Sequence, residues 1–600
     1  MKKIFKSSLA VFCAAAMLIG CGKQNAVQQA PASSEQEVVQ PTEKKVFEGA
    51  TAIELSDDGI TVDGEAISTD TESAVYAAND IVFYLEGQGF TYGEGEKEDE
   101  HSQAEADTHT VVHITQPGTY ALSGKISAGQ VAVDLGKDAE EDPEAVVTLI
   151  LNGVDITCTV APGVIFYNVY ECGSDDADSA VKDVDTTAAG ANVIIADGTI
   201  NNVTGSYVAR IYKSYELNAA GTEVVSNKKL HKYDAAFYSK KTMNVNGDTL
   251  GTGILNIVAE NEGLDSELHL TINGGNINIY SGNDGINTNE DGVSVTTVNG
   301  GVLNIIVSGT TGEGDGIDSN GWLVINGGIV ASQACGFSMD SGIDSDMGIY
   351  INGGVVVATG NMLDSIAGSE QNYAVFSFAS SQQGGNTYTL KTEKGGEVFS
   401  IAPANSFTYL IVSAKDLAAG TYTFWNGSTQ LAASTGSAMG GMMGMPGGFG
   451  GMQMPGGFSG MQMPEGFGGI QMPEDFSNIQ LPEGVQIPEG TQMPNMQLPE
   501  GVTLPEGMQL PEGFQMPQNG KMPSQGNGKR PEGQEPTGGM PGGFQGGMQG
   551  NFNGGDKKGE RPNGGFGGQG GFNMGGNAEL STEFVIVEGA NYFSYVSPAK

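Results

Sequence analysis

An apolar residue followed by Asn-Gly-Gly returns four times in the middle of the chain, at 272–275, 298–301, 325–328 and 351–354, at intervals of 26, 27 and 26 residues. A shortened copy, Val245-Asn246-Gly247, precedes the first by 27 residues. Each copy leads into an alternating apolar run, such as Asn276-Ile277-Asn278-Ile279-Tyr280 or Val355-Val356-Val357. A fixed period of this length marks a repeat architecture, in which one supersecondary unit buries its apolar face only by stacking on the next.

A second pattern runs in phase with the first. It reads Glu262-Gly263-Leu264-Asp265-Ser266, Asp284-Gly285-Ile286-Asn287-Thr288, Asp315-Gly316-Ile317-Asp318-Ser319 and, with one residue inserted, Asp340-Ser341-Gly342-Ile343-Asp344-Ser345. The repeat has no apolar stripe of helical period, but it has short β-branched runs punctuated by Gly and Asn, as strands and tight turns require. Two to three strands at ~3.3 Å per residue, with corners, use up a period of this size. The expected fold is all-β, a parallel β-helix solenoid over 51–400 with a terminal β-element at 401–436. With 93 Gly among 600 residues and 38 % apolar content, the chain is thin for a globular core but sufficient for narrow inward stacks. Asn273, Asn299, Asn326 and Asn352 recur in register and are expected to form an internal amide ladder that satisfies buried turn groups.

The N-terminus carries Lys2-Lys3, an apolar stretch from 9 to 19, and Cys21, the layout of a secretory leader (1–20) rather than of a membrane span. Leu18-Ile19-Gly20-Cys21 matches a bacterial lipobox, so Cys21 is the expected lipidation site and the mature chain is expected to be exported and anchored to the cell membrane or cell surface. Plain cleavage nearby is the alternative. Residues 21–50, rich in Gln, Ala, Ser and Pro, read as a flexible tether. Cys158, Cys172 and Cys335 do not make a disulfide framework, although an oxidising compartment permits a Cys158–Cys172 bridge. Acidic inserts at 94–107, 138–144 and 175–185 read as solvated loops. From 437 to 578 the chain repeats variants of Gly-Met-Gln-Met-Pro-Glu-Gly-Phe and holds 17 of the 23 methionines. That composition cannot form a packed core, so it reads as a disordered low-complexity insertion before the strand signals that return at 579–600.

The net charge of −44 disfavours nucleic acid and anionic membrane surfaces as partners and favours cations. No Lys or Arg occurs between Thr242 and Leu390, so the acidic corners have no local basic side chain. Carboxylates stacked ~4.8 Å apart repel by ~3 kcal/mol at an effective dielectric of about 20. Calcium, which takes roughly 6 to 8 hard oxygen ligands in flexible geometry, is the expected cofactor. Its candidate ligands are Glu262, Asp265, Asp284, Asn287, Asp315, Asp318, Asp340 and Asp344, with Asp291 and Asp346 just beyond the corners. The plainer reading is a solvated acidic face, or Asp and Asn retained for turn geometry. Outward aromatic rings at Trp322, Tyr350 and Tyr280 are candidate sugar platforms, the alternative being that they cover neighbouring loops. Catalysis finds less support: a lyase acting beside a uronate carboxylate calls for a basic side chain, and the central repeats have none. Basic residues around Arg210 leave a lyase or hydrolase as an alternative function, and a structural surface adhesin as another.

The run Ile114-Thr-Gln-Pro-Gly-Thr-Tyr-Ala-Leu-Ser-Gly124, Leu149-Ile-Leu-Asn-Gly-Val-Asp-Ile156 and Ala235-Ala-Phe-Tyr-Ser-Lys240, followed by the Asp-Gly-Ile and Ile-Asn-Gly-Gly repeats, resembles the secreted bacterial carbohydrate-binding-domain family over about 50–436 and the last twenty or so residues. The resemblance implies a right-handed parallel β-helix of pectate-lyase-like fold with bound calcium. It also implies binding of acidic plant polysaccharide such as polygalacturonate, and of cellulose, without established catalysis. The matching corners are those at Asp284 and Asp315. The chain departs from the pattern in its acidic inserts, in the stretch from Cys158 to Asp185 and in the Met-Pro-Gly tract. The function read from the whole is a non-catalytic surface lipoprotein that holds a polysaccharide through calcium.

Overall fold

The structure is a computed structural model and describes residues 46–435 and 580–599. The leader at 1–20, the lipidation residue Cys21, most of the tether and the 437–578 tract lie outside the described residues. Within them the only α-helix is the single turn Gln103–Ala106; nearly everything else is strand, turn or bend.

Short β-branched runs separated by Gly and Asn produce strands that pair with their counterparts one repeat away. A first ladder joins Ala191–Ile195, Met243–Gly247, His269–Ile272, Val295–Val298, Trp322–Ile325 and Gly348–Ile351, each parallel to the next. A second joins Ile200–Gly205, Ile254–Ala259, Asn276–Ser281, Val302–Val307, Ile329–Gln333 and Val355–Gly360, also parallel. A third joins Val164–Asn168, Ala235–Ser239, Glu262–Ser266, Ile286–Thr288 and Ile317–Ser319. The pairing is in register across repeats. Val245, Ile272, Val298, Ile325 and Ile351 align in one row, all nearly or fully buried. Because side chains alternate across a strand, this apolar row faces one continuous core that takes in Leu264, Ile286 and Ile317 of the third ladder and Leu255, Ile277, Leu303 and Val330 of the second.

The all-β class holds. Beside the three parallel ladders the sheets are mixed, with antiparallel pairing at both ends. At one end Val75–Ala78 pairs antiparallel with Thr110–Ile114, and at the other Val355–Gly360 pairs antiparallel with Phe407–Ala414. Beyond that junction a separate aromatic core holds the terminal element together. Phe376 stands 4.4 Å from Phe424 and 5.3 Å from Phe593, centroid to centroid. The last strand, Ala590–Pro598, runs parallel to Tyr373–Gln382, so the end of the chain completes this element and covers strand edges that would otherwise be open.

The asparagine ladder exists, with a change of side. Asn273 donates to Asn246 at 2.9 Å, Asn299 to Asn273 at 2.8 Å, Asn326 to Asn299 at 2.9 Å and Asn352 to Asn326 at 2.8 Å. It runs along the surface, not inside as expected, because each Asn follows a core residue and alternation turns it outward. The second Gly of each Asn-Gly-Gly turn adopts φ near +80° (Gly301 +83°, Gly328 +77°, Gly354 +77°), the region that only Gly enters freely. Cys158, Cys172 and Cys335 are all free thiols, and no Cys158–Cys172 bridge is formed.

Candidate functional site

The acidic corners lie along the third ladder. Leu264, Ile286 and Ile317 are fully buried in the core, and so are the hydroxyl residues Ser266, Thr288 and Ser319 two positions on. The intervening residue points to the opposite side, which places Asp265, Asn287 and Asp318 in one register row. The backbone N–H of Asp344 donates to Ile317 O, placing the next corner beside that row. Asp284 and Asp315 occupy the turn just before the same strands, with Gly285 N–H donating to Asp315 O.

Five of the corner carboxylates, Glu262, Asp265, Asp284, Asp315 and Asp340, each spend one oxygen on their neighbours. Asp284 Oδ1 accepts from Asp315 N at 2.6 Å, Asp315 Oδ1 from Ser341 N, and Asp340 Oδ2 from Gly314 N at 2.7 Å and from the Ser338 hydroxyl. Asn287 Nδ2 donates to Glu262 Oε1 at 3.1 Å, and Asn289 Nδ2 to Asp265 Oδ1 at 2.9 Å. The remaining oxygens are the informative ones. Glu262 Oε2, Asp265 Oδ2, Asn283 Oδ1 and Asn287 Oδ1 are buried and have no hydrogen-bond partner, an expensive arrangement for any acceptor and more so for a charged one.

The electrostatics agree. Burial, then Glu267 and Asp234, holds the Asp265 carboxyl well above the usual carboxylate range, and burial, then Asp265 and Asp234, does the same for Glu262. Asp284 and Asp315 are raised well above it too, by burial first and then by Asp318 and by Asp284 respectively. Asp318 is pushed up to about 6 by burial, Asp346 and Asp364, and Asp344 to about 8 by burial, Asp364 and Asp318. At neutral pH such a row either retains protons or faces cations. The available donors are carboxylate, amide and backbone oxygens, which suit a hard ion such as calcium and not a thiophilic one. Among the described residues no three His, Cys, Asp or Glu side chains form a preassembled metal site. An ion here would therefore draw on few carboxylates at a time, completed by Asn and backbone oxygens.

Three features of the site went unread in the sequence. Asp364, pushed up to about 6 by burial, accepts from Ser345 N at 3.1 Å and extends the row beyond Asp344. Its signal was present, since Leu363-Asp364-Ser365 repeats the apolar-Asp-Ser of 264–266, 317–319 and 343–345, but it falls 20 residues after Asp344 and breaks the period. Asn283 and Asn289 flank the second corner. The third feature is a correction: the row does have a basic neighbour at one end. Lys232 forms an ion pair with Asp234 and offsets the charge of Glu262 and Asp265. Lys229 reaches Glu267 at 3.4 Å. Both lysines sit on the hairpin Val208–Leu217/Val224–Tyr233, far enough from the corners in sequence that only folding brings them near. No Lys or Arg is among the groups acting on Asp284, Asp315, Asp318 or Asp344.

The three aromatic candidates do not form one platform. Trp322 and Tyr350 share the outward side of the first ladder, with Trp322 opposite Gly348 and Tyr350 opposite Val324. Tyr280 belongs to the second ladder, between Val258 and Ile306, where burial raises its phenol. None of the three lies in the register row of the carboxylates. Tyr350 has a partner from the 171–187 segment: Lys182 Nζ lies 5.1 Å from its ring centroid.

A family model described as carbohydrate-binding domain-containing protein matches residues 108–437. No curated protein matches the chain. Among solved structures, a polysaccharide lyase-like protein from C. thermocellum, determined as a gadolinium derivative, is 19 % identical over 54 % of this chain and 93 % of its own, with a TM-score of 0.29. A likeness at that level transfers neither chemistry nor mechanism.

Proposed function

The chain belongs to the carbohydrate-binding domain-containing family, and from that premise we propose that it binds an acidic polysaccharide without cleaving it, through calcium held along the third ladder. In this reading the three ladders close into a right-handed parallel β-helix, with the acidic row on one outer side. Glu262, Asp265, Asn287 and Asp284 form the first group of ligands, and Asp315, Asp318, Asp340 and Asp344 the second. Calcium would supply the positive charge that lets a uronate carboxylate of a polymer such as polygalacturonate approach a protein of net charge −44. The chain's own residues fix the oxygen array and keep it rigid through hydrogen bonds from one repeat to the next. Acylation at Cys21 would hold the protein at the bacterial surface, and the 21–50 tether would set its reach.

The observation that carries this reading is the set of buried, unpartnered oxygens on Glu262, Asp265, Asn283 and Asn287, in a row that Lys232 and Lys229 approach at one end. Equilibrium dialysis against labelled calcium tests it. The full chain retains calcium, and Asp284→Asn/Asp315→Asn retains less. A chain that retains none contradicts the reading and leaves the acidic residues as turn formers.

A further inference from the structure

On the outer side of the first ladder, away from the acidic row, the structure contains a groove of about 370 Å³, within the roughly 300–1,000 Å³ range of small-molecule sites. Its floor is the outward row Thr271, Thr297 and Val324 together with the surface amides Asn273, Asn299 and Asn326. Its wall is the segment 182–187.

The wall is fastened to the floor at Thr186, and the chain leading towards it at Glu171. Glu171 accepts from Thr242 N at 2.9 Å and from its hydroxyl at 2.6 Å, and the Thr186 hydroxyl bonds Asn244 and Thr271, each at 2.8 Å. At the far end Lys182 pairs with Asp183 at 2.7 Å and lies over the Tyr350 ring. The Thr186 bonds thus tie the wall to the floor of the groove.

Its chemistry differs from that of the acidic row. Asp183 and Asp185 outnumber Lys182, so a polyuronate is repelled here. Within the amide ladder each Asn donates one N–H and accepts one, which leaves a second N–H and a second lone pair per residue. These recur about every 4.8 Å along the floor. One donor beside one acceptor is the complement of a carboxamide, which also offers one N–H and one C=O. Val184 and Val324 add apolar contact on both sides of the groove, suited to a methyl group and wasted on a hydroxyl.

We infer that the groove between the 182–187 segment and the Asn273–Asn299–Asn326 row binds a glycan of N-acetylated hexosamines, independently of calcium. The inference rests on the carbohydrate-binding family but not on the calcium bridge, so the two fail separately.

The test is calorimetric titration of the full chain with a β-linked N-acetylglucosamine hexamer and with the glucose hexamer of the same linkage, in calcium and again in chelator. The acetylated oligomer binds at least about ten-fold tighter than its glucose counterpart, unchanged by chelator, since each lost amide pairing is worth close to a factor of ten. Asn299→Ala/Asn326→Ala weakens it by about ten-fold or more and leaves polygalacturonate binding intact. Should that variant fold poorly, Val184→Asn, on the wall, weakens it by a similar factor. A third titrant, wall glycan whose alternate sugars carry a lactyl carboxylate, separates the two sources of the same chemistry; Asp183 and Asp185 predict weaker binding than for the uncharged hexamer. Equal affinity for both hexamers, no binding of either, abolition by chelator, or indifference to both variants overturns the inference.

Discussion

Replacing Asp315 with Asn separates the two roles a buried carboxylate can play in this row. The amide keeps an oxygen that can accept from Ser341 N, as Asp315 Oδ1 does, so the substitution deletes charge and little else. Asp315 N donates to Asp284 Oδ1 at 2.6 Å, and burial together with the Asp284, Asp344 and Asp318 carboxylates raises its pKa. Two like charges about 4.8 Å apart repel by ~3 kcal/mol at an effective dielectric of about 20. Proton uptake relieves part of this, so ~3 kcal/mol is a ceiling. Unfolding entropy of ~2.1 cal/mol/K per residue over the roughly 400 described residues makes each kcal/mol worth ~1 °C, so Asp315→Asn in chelator should melt up to about 3 °C higher than the parent. In millimolar calcium the sign reverses: the parent gains stability by ligand linkage, the variant has lost a ligand, and it melts lower. Differential scanning calorimetry in the two buffers reads both signs. A variant that melts lower by the same amount in both conditions would refute the reasoning and make Asp315 a turn residue.

The raised carboxyls also set a pH dependence. Asp318 and Asp344 have folded values of about 6 and about 8, above the ordinary ~3.9, so the folded state binds protons that the unfolded state has lost. Chelated protein is therefore destabilised as pH rises from ~4 and reaches its full penalty above about 8, whereas calcium flattens the profile; denaturant midpoints at pH 5 and pH 8 check it. Asn326→Ala removes the bonds to Asn299 and from Asn352; at an exposed site this costs about 1 kcal/mol, read from the urea midpoint, with polygalacturonate binding unchanged. Phe424→Ala deletes a fully buried ring packed against Phe376 and Phe584 and costs about 3–5 kcal/mol. Hydrogen exchange should then rise first in 407–435 and 580–599, while the three ladders stay protected.

The Asn-Gly-Gly period makes the buried row Val245–Ile272–Val298–Ile325–Ile351 and the asparagine ladder legible in the sequence itself, because in-register stacking repeats one local pattern at every step. The side on which the ladder lies is opposite to the internal one expected from the sequence, because each Asn directly follows a core residue and alternation sends it outward. What the pattern cannot convey is whatever the repeats do not encode. Lys232 reaches Asp234 and the first corner from a hairpin with no counterpart in other repeats. The 171–187 segment crosses the first ladder through Thr186 and Lys182, contacts fixed by folding and not by spacing. Asp364 lies where the period shortens, so a search for regular intervals passes over it although its Leu-Asp-Ser matches the other corners. The antiparallel pairing of Val355–Gly360 with Phe407–Ala414 has no repeat signal at all.

Calcium-dependent capture of a polyuronate is the central claim, and calorimetric titration of polygalacturonate into the full chain, in millimolar calcium and in chelator, tests it most directly. Binding heat in calcium that disappears in chelator is the result the account predicts; equal binding in both buffers, or none in either, would contradict it.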